Sequence, residues 1–453
     1  METSITKQQL FLKEDLKKLI IPLLFEQALA ITVGMADTVM ISSAGEAAVS
    51  GVSLIDMFNN LIISVLAALA TGGAVVTSQF LGAGKKEDAC KSAKQLIVSS
   101  VCITIGISIL VMVFCNGIIS LFFGKIEADV FHNAVIYMMI SALSFPFLAL
   151  YNSCAALFRS MGNSQITLKV SVVENIINIG GNALGVYVLG LGVAGVAIPS
   201  LISRAVAGFI LYRLLKNPSN EVHLLKESFH IDWPVIHKIF YIGIPSGIEN
   251  GIFQLGRVIV VSIIAGFGTV QIAANGVANS LDSMGCIVGQ AMNLAMITVI
   301  GRCVGAGDSG QVRYYTKKLL KITYLCTFMV NSVILLCLSW ILKCYGLSPE
   351  TTQLSYILVM IHNGMAMFLW PASFVLPNML RACNDVRFTM VLSIFSMFVF
   401  RIGFSYIIGV NMGYGAIGVW IAMVLDWIFR VICFVSRYLS GHWLKTARLQ
   451  DNR

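Results

Sequence analysis

The chain has 453 residues, of which 57% are hydrophobic and only 12% charged, with a mean hydropathy of +0.84 and a formal net charge of +9 at pH 7. A soluble domain carries about 25% charged residues, so this composition excludes a water-soluble body. The eleven cysteines stand singly in apolar runs, without a CxxC or a Cys/His cluster in sequence, which argues against both a disulfide framework and a metal site.

The N-terminus, METSITKQQLFLKEDLKK, is polar and lacks the apolar core of a cleaved signal peptide. Apolar blocks then recur at lengths close to the roughly 20 residues that cross a bilayer as helix. They predict twelve spans, over 17–42, 51–80, 93–122, 131–160, 165–189, 193–214, 236–266, 274–302, 316–342, 352–381, 387–409 and 415–438. The odd-numbered connections hold only Lys125 and Lys343, whereas the even-numbered ones and the termini hold Lys13, Lys17, Lys85, Lys86, Arg313, Lys317 and many others. Roughly 25 basic residues on one side against about 2 on the other is a positive-inside bias, and it predicts both termini in the cytoplasm. The basic surplus is thereby a topology signal, and no nucleic acid is needed to explain it.

The first span opens IPLLFEQ at 21–27 and carries Glu26, Gln27 and Asp37. The two acids are eleven residues apart, about three turns, so they share one face about 16 Å apart along the axis. An ionisable group inside a membrane costs at least about 2.5–3.5 kcal/mol, which makes each a functional candidate, able to exchange a proton or hold Na⁺ in its place. On the fifth span Asn178 and Asn182 are i, i+4 neighbours on one face, with Glu174 a turn earlier. The seventh span opens IPSGIEN at 244–250 and carries Glu249, Asn250, Gln254 and Arg257. Arg257 is placed to pair with Glu249 if it turns back toward it. Asp56, Arg204, Asp282, Arg401, Asp426 and Arg430 complete the charges in apolar context, and structural pairing is expected for them.

Pro22 and Pro245 are 223 positions apart, and the same offset carries QFLGAGKK at 79–86 onto RCVGAGDS at 302–309. LFRSMGNSQITL at 157–168 matches MLRACNDVRFTM at 379–390, with Arg159 on Arg381, and Gly195 falls on Gly418. The chain is therefore duplicated. Six spans per half return the chain to its starting side, so the halves have the same orientation. The expected fold is an all-α polytopic membrane protein with twelve transmembrane helices in two pseudo-symmetric six-helix lobes. The lobes are expected over 1–215 and 239–453, with a cytoplasmic linker over 216–238. Such parallel repeats are a transporter architecture with sites near the midplane. GLGVAG at 190–195 follows no strand, and GAGKK at 82–86 lacks the P-loop spacing, so no nucleotide-driven step is expected. No nucleophile–base pair is visible, and the protein is not expected to be an enzyme.

MADTVMIS at 35–42, ATGGAVVTSQFLGAGKK at 70–86, LFRSMGNSQ at 157–165, GVAGVAI at 192–198 and MLRACNDVRF at 379–388, taken in series, resemble the multidrug and toxic compound extrusion (MATE) family of bacterial secondary transporters. The resemblance implies export of organic, often cationic, compounds in exchange for H⁺ or Na⁺, without a cofactor. It carries the family's first-helix acid onto Asp37. It carries a fifth-helix Asn and Asp onto Asn178 and Asn182, and a sixth-helix Thr onto Ser200, so that Asn182 and Ser200 depart from the pattern. A seventh-helix Glu falls on Glu249, while a tenth-helix Asp falls on Trp370. The expected ion-coupling residues are thus Asp37, Asn178, Asn182, Ser200 and Glu249. Those of the substrate cavity are Glu26, Gln27, Asn250, Gln254 and Arg257. The expected partners are small organic cations and the lipid bilayer of the inner membrane, with no obligate protein partner. A flippase for a lipid-linked precursor is the alternative, since Arg204, Arg257 and Arg401 would suit a phosphate headgroup.

Overall fold

The computed structural model describes residues 9–124, 126–224 and 230–450. Lys125, the first eight residues and part of the expected linker, 225–229, lie outside them. The described residues form twelve long helices: α1 Lys13–Ser42, α2 Glu46–Gly82, α3 Lys86–Val113, α4 Ala128–Ser160, α5 Ser164–Ala183, α6 Ala194–Leu215, α7 Trp233–Ala265, α8 Thr269–Gly285 continued by Ile287–Gly305, α9 Ser309–Cys344, α10 Pro349–Trp370, α11 Val386–Ser396 and α12 Gly415–Leu439. Eleven helical stretches are long and apolar enough to cross a membrane. The remaining one, α5, is as long but holds Lys169, Glu174, Asn175, Asn178 and Asn182. Large apolar side chains cover the outside, with Leu121, Leu336 and Trp340 at least three-quarters exposed, as a surface solvated by lipid requires.

Several expected spans prove to be broken helices. A π-helical turn over Leu184–Val188 extends α5. Another over Pro371–Val375 continues α10 into Leu376–Ala382, at a proline that supplies no N–H to the helix ladder. Two more, Met397–Gly403 and Ser405–Asn411, make up the second half of α11. Each π turn inserts a residue into the helical ladder, and the offset of the repeat varies by a residue either way along the chain. Arg159 and Arg381 are 222 positions apart, whereas Gly185 and Gly409, which touch the backbone of α6 and α12 respectively at Gly195 and Gly418, are 224 apart.

The two lobes interlock through their first helices. Phe11, just before α1, and Leu16, Leu19, Ile20 and Leu23 of α1 lie in the C-terminal lobe's core with Met292, Met296 and Ile300. Val235, Ile239 and Ile242 of α7 lie in the N-terminal lobe's core with Val75, Ala93 and Leu96. On the side of the chain termini, hereafter the terminal side, α2 and α8 cross with backbones in contact. A Cβ on Gly82 would stand 2.0 Å from the Arg302 carbonyl oxygen, and one on Gly305 would stand 1.9 Å from that of Gln79. Because 82 and 79 lie 223 positions before 305 and 302, the two contacts are images of each other, and only glycine admits this approach. Gln79 donates to the Ala382 carbonyl and Asn384 Oδ1, and Arg302 pairs with Glu221 of the linker at 2.6 Å. On the opposite, far side, Ile41 at the end of α1 packs only within its own lobe, against Ala48, Val52, Val193 and Val196. The glycine crossing joins the lobes on the terminal side.

Candidate ion-coupling network and cargo cavity

The repeated acids of α1 and α7 each meet the arginine of their own lobe's fourth span. Arg159 donates to Glu26 at 2.6 Å, and Thr167 donates to the other carboxylate oxygen at 3.1 Å. In the second lobe Arg381 lies 2.7 Å from Glu249, with Arg430 at 4.0 Å and Asn378 accepting from Arg381. Glu26 and Glu249 are both buried. One ion pair is thus built twice, and it explains why the duplication kept an acid at this depth: removing either partner strands a buried charge. Arg257 does not turn back to Glu249; it points into a cavity described below.

Away from these twins the lobes differ. In the N-terminal lobe Asn182 donates to Asp37 at 2.7 Å, the Asn178 carbonyl accepts from Asn182 at 3.3 Å, and Asn178 donates to Ser200 at 2.9 Å. The structure therefore brings Asp37, Asn178, Asn182 and Ser200 into one hydrogen-bonded chain across α1, α5 and α6. Asp37 forms no ion pair among the described residues, although the charge of Arg204 acts on it. Close by, Tyr137 donates to Asp56 at 2.9 Å and Arg204 donates to Ser144 at 2.7 Å. Glu174 lies on α5 between Glu26 and Asp37. Among the described residues, three acids of this lobe, Asp37, Asp56 and Glu174, form no salt bridge, and the charge of Arg204 acts on all three.

In the C-terminal lobe a cavity of about 440 Å³ opens between α7, α8, α10, α11 and α12, with Gln27, Ala30 and Ile31 of α1 on its rim. Its charged lining is Arg257, Asp282, His362 and Arg401, and its walls include Trp370, Phe374, Trp420 and Trp427. His362 Nε2 and Asp282 are 2.7 Å apart, and the Cys286 thiol donates to Asp282 at 3.1 Å. The oxygen, sulfur and nitrogen of these three lie within 4.8 Å of one another, a set able to grip a transition metal. Helices α8 and α10 assemble a cluster that sequence spacing does not reveal. Arg257 and Arg401 in the same cavity oppose a cation there. Arg401 stacks its guanidinium over Phe253 and lies 3.4 Å from Asp426, which also accepts from Ser396.

Of the residues expected at a substrate cavity, Gln27 and Arg257 line this one. Glu26 is committed to Arg159, and Asn250 and Gln254 sit at the lobe interface, donating to the Ser64 carbonyl at 3.5 Å and the Ser64 hydroxyl at 3.1 Å. His362 is a lone histidine in an apolar run and carries no local signal in sequence. Arg401 and Asp282 were noticed there as charges, but their shared cavity is a product of the fold.

Comparison with known proteins agrees with this architecture. The MatE family model matches twice, over residues 22–184 and 245–407, two copies offset by the 223 positions of the repeat. Among curated relatives, the uncharacterized transporter YisQ of Bacillus subtilis is 28% identical over 94% of this chain and 93% of its own length. The probable multidrug resistance protein NorM of Thermotoga maritima is 24% identical over 98% and 95%. Among solved structures, the outward-facing form of a multidrug resistance MATE family transporter superposes with a TM-score of 0.89 at 20% identity, over 95% of this chain and 96% of that one. With its duplicated lobes, its buried glutamate–arginine twins and both copies of the family match, the chain belongs to the MatE family of multi-pass membrane efflux transporters.

Proposed function

We propose that the protein is a secondary antiporter of the inner membrane that exports amphipathic organic compounds in exchange for H⁺ or Na⁺ by alternating access. The observation that carries this reading is the chain Asp37–Asn182–Asn178–Ser200, in which a carboxylate with no ion pair among the described residues accepts from one amide of α5, which is linked through a second amide of α5 to a hydroxyl on α6. A proton or Na⁺ arriving at Asp37 changes what Asn182 can donate to, and so shifts α1 against α5. Because α1 also packs into the other lobe's core, that shift reaches the lobe interface and biases the inward–outward equilibrium. The positive-inside bias supports a cytoplasmic terminal side, where the lobes cross. Three unpaired acids in the N-terminal lobe support organic cations as one class of cargo. Arg257 and Arg401 favour a second reading, a flippase for a phosphate-bearing lipid precursor.

The test uses inverted membrane vesicles with a respiration-driven pH gradient, to which ethidium is added while proton release is recorded. Wild type should release protons and Asp37→Asn should not. If wild type stays silent with several organic cations, drug/H⁺ exchange is wrong, and Na⁺-driven uptake is measured next.

A further inference from the structure

The C-terminal cavity differs from the interior of the other lobe in the sign of its charge. Asp282 is satisfied by His362, and Asp426 is shared between Arg401 and Ser396. Arg401 is only 7% exposed, and its Nε, 3.4 Å from Asp426, makes no hydrogen bond. Arg257 faces the cavity with no carboxylate in ion-pairing range among the described residues. A guanidinium inside a lobe is costly to desolvate, and the cost is offset when an anion reaches it with bidentate geometry. The duplication shows that this basicity arose within the cavity. The position 223 before Arg257 is Gly34, the one 223 before Arg401 is Asn178, and the one 223 after Asp37 is Val260. An acid on the first helix of one lobe is thereby matched by an arginine on the first helix of the other.

The remaining lining sets the body of the ligand. Trp370 and Phe374 stack at 4.9 Å, and the Trp420 and Trp427 rings stand edge-on to His362 at 5.3 and 4.8 Å. Asn275, Asn279 and Gln290 supply neutral hydrogen-bonding groups on one wall. A volume of about 440 Å³ falls within the range of small-molecule pockets, roughly 300–1,000 Å³. We infer that this cavity binds an aromatic organic anion, its carboxylate against Arg257 and Arg401 and its rings against the tryptophan walls. The inference deepens the transport reading by naming a cargo class for the C-terminal lobe.

The test measures binding, which needs no gradient, so its result stands apart from that of the vesicle assay. Purified full-length protein in detergent is titrated calorimetrically with three matched probes: 1-naphthoate, 1-naphthalenemethanol and 1-naphthylmethylammonium. The carboxylate should bind at least about tenfold more tightly than the ammonium, the margin expected of one charge-assisted contact. Arg257→Lys should keep that order and Arg257→Glu should abolish or reverse it. Arg257 lies on the cavity wall and pairs with no described residue, so these variants leave the ion pairs of the fold in place. Tighter binding of the ammonium, or an unchanged order in Arg257→Glu, overturns the inference. Farnesyl phosphate added in competition separates the sources of the anion. If it occupies the cavity while 1-naphthoate does not, the ligand is a lipid phosphate and the aromatic-acid assignment is overturned.

Discussion

Glu26 and Arg159 illustrate how a membrane interior constrains single residues. Each is a charge that the bilayer would reject, and together with Thr167 they satisfy one another. Glu26→Gln leaves Arg159 buried without a counter-charge and should cost about 3–5 kcal/mol, seen as a lower unfolding temperature in detergent. Adding Arg159→Met removes the stranded charge and should restore much of the loss, whereas a double variant as unstable as the single one would show that the pair is not the cause. Asp37 follows the opposite logic. Its only described side-chain partner is the amide of Asn182, so Asp37→Asn should leave the protein folded while ending coupled proton release. The vesicle assay and a thermal melt on the same variant separate these outcomes. The fold thus uses acids of two kinds, those locked by arginine and those held by amides, and the difference lies in partners about 130 or more positions away in sequence.

At the scale of the element, close packing on the terminal side depends on glycines that face backbone. Gly305 opposes the Gln79 carbonyl so closely that a methyl group would have to recede by about 1.5 Å, from 1.9 Å to an ordinary 3.4 Å contact. Gly305→Ala should therefore part α2 from α8 and favour the form open on the terminal side. Spin labels at Lys86 and Lys317, both exposed near that end of their lobes, should report a longer mean distance in the variant. An unchanged distance distribution would mean that the crossing does not hold the lobes shut. The π turns of α11 are a second element-scale device. A helix rotates about 100° per residue, so each inserted residue re-aims everything beyond it. Arg401 lies in the first of these turns and faces the cavity beside Phe253.

At the scale of the molecule, the two lobes share a frame and divide their charge. The frame is the glutamate–arginine pair, the glycine crossing and the swapped first helices, each present twice. The charge is acidic around Asp37, Asp56 and Glu174 and basic around Arg257 and Arg401. The proposed ion coupling in one lobe and anionic cargo in the other would communicate through α1, whose terminal half lies in one core and whose far half carries Asp37. Orientation is testable directly. A fluorescent protein fused at the C-terminus should fluoresce as a cytoplasmic domain, and alkaline phosphatase fused after Gly190, in the fifth connection, should be active outside. The reverse pattern would overturn the positive-inside assignment.

By itself the sequence determined the membrane class, twelve spans, the duplication and the family. Hydropathy is a local sum over about 20 residues, and a repeat is a comparison of the chain with itself. The chain Asp37–Asn178–Asn182–Ser200 was legible by resemblance, and the twin acids by their repetition. Their partners were not, since Arg159 and Arg381 reach Glu26 and Glu249 only when the fourth span of each lobe packs beside the first. The π turns of α5, α10 and α11 were equally hidden, because a π turn is fixed by packing. The cavity's character was decided last of all. Arg257, Asp282, His362 and Arg401 come from four helices, and the net charge they present is a sum that only the tertiary structure performs.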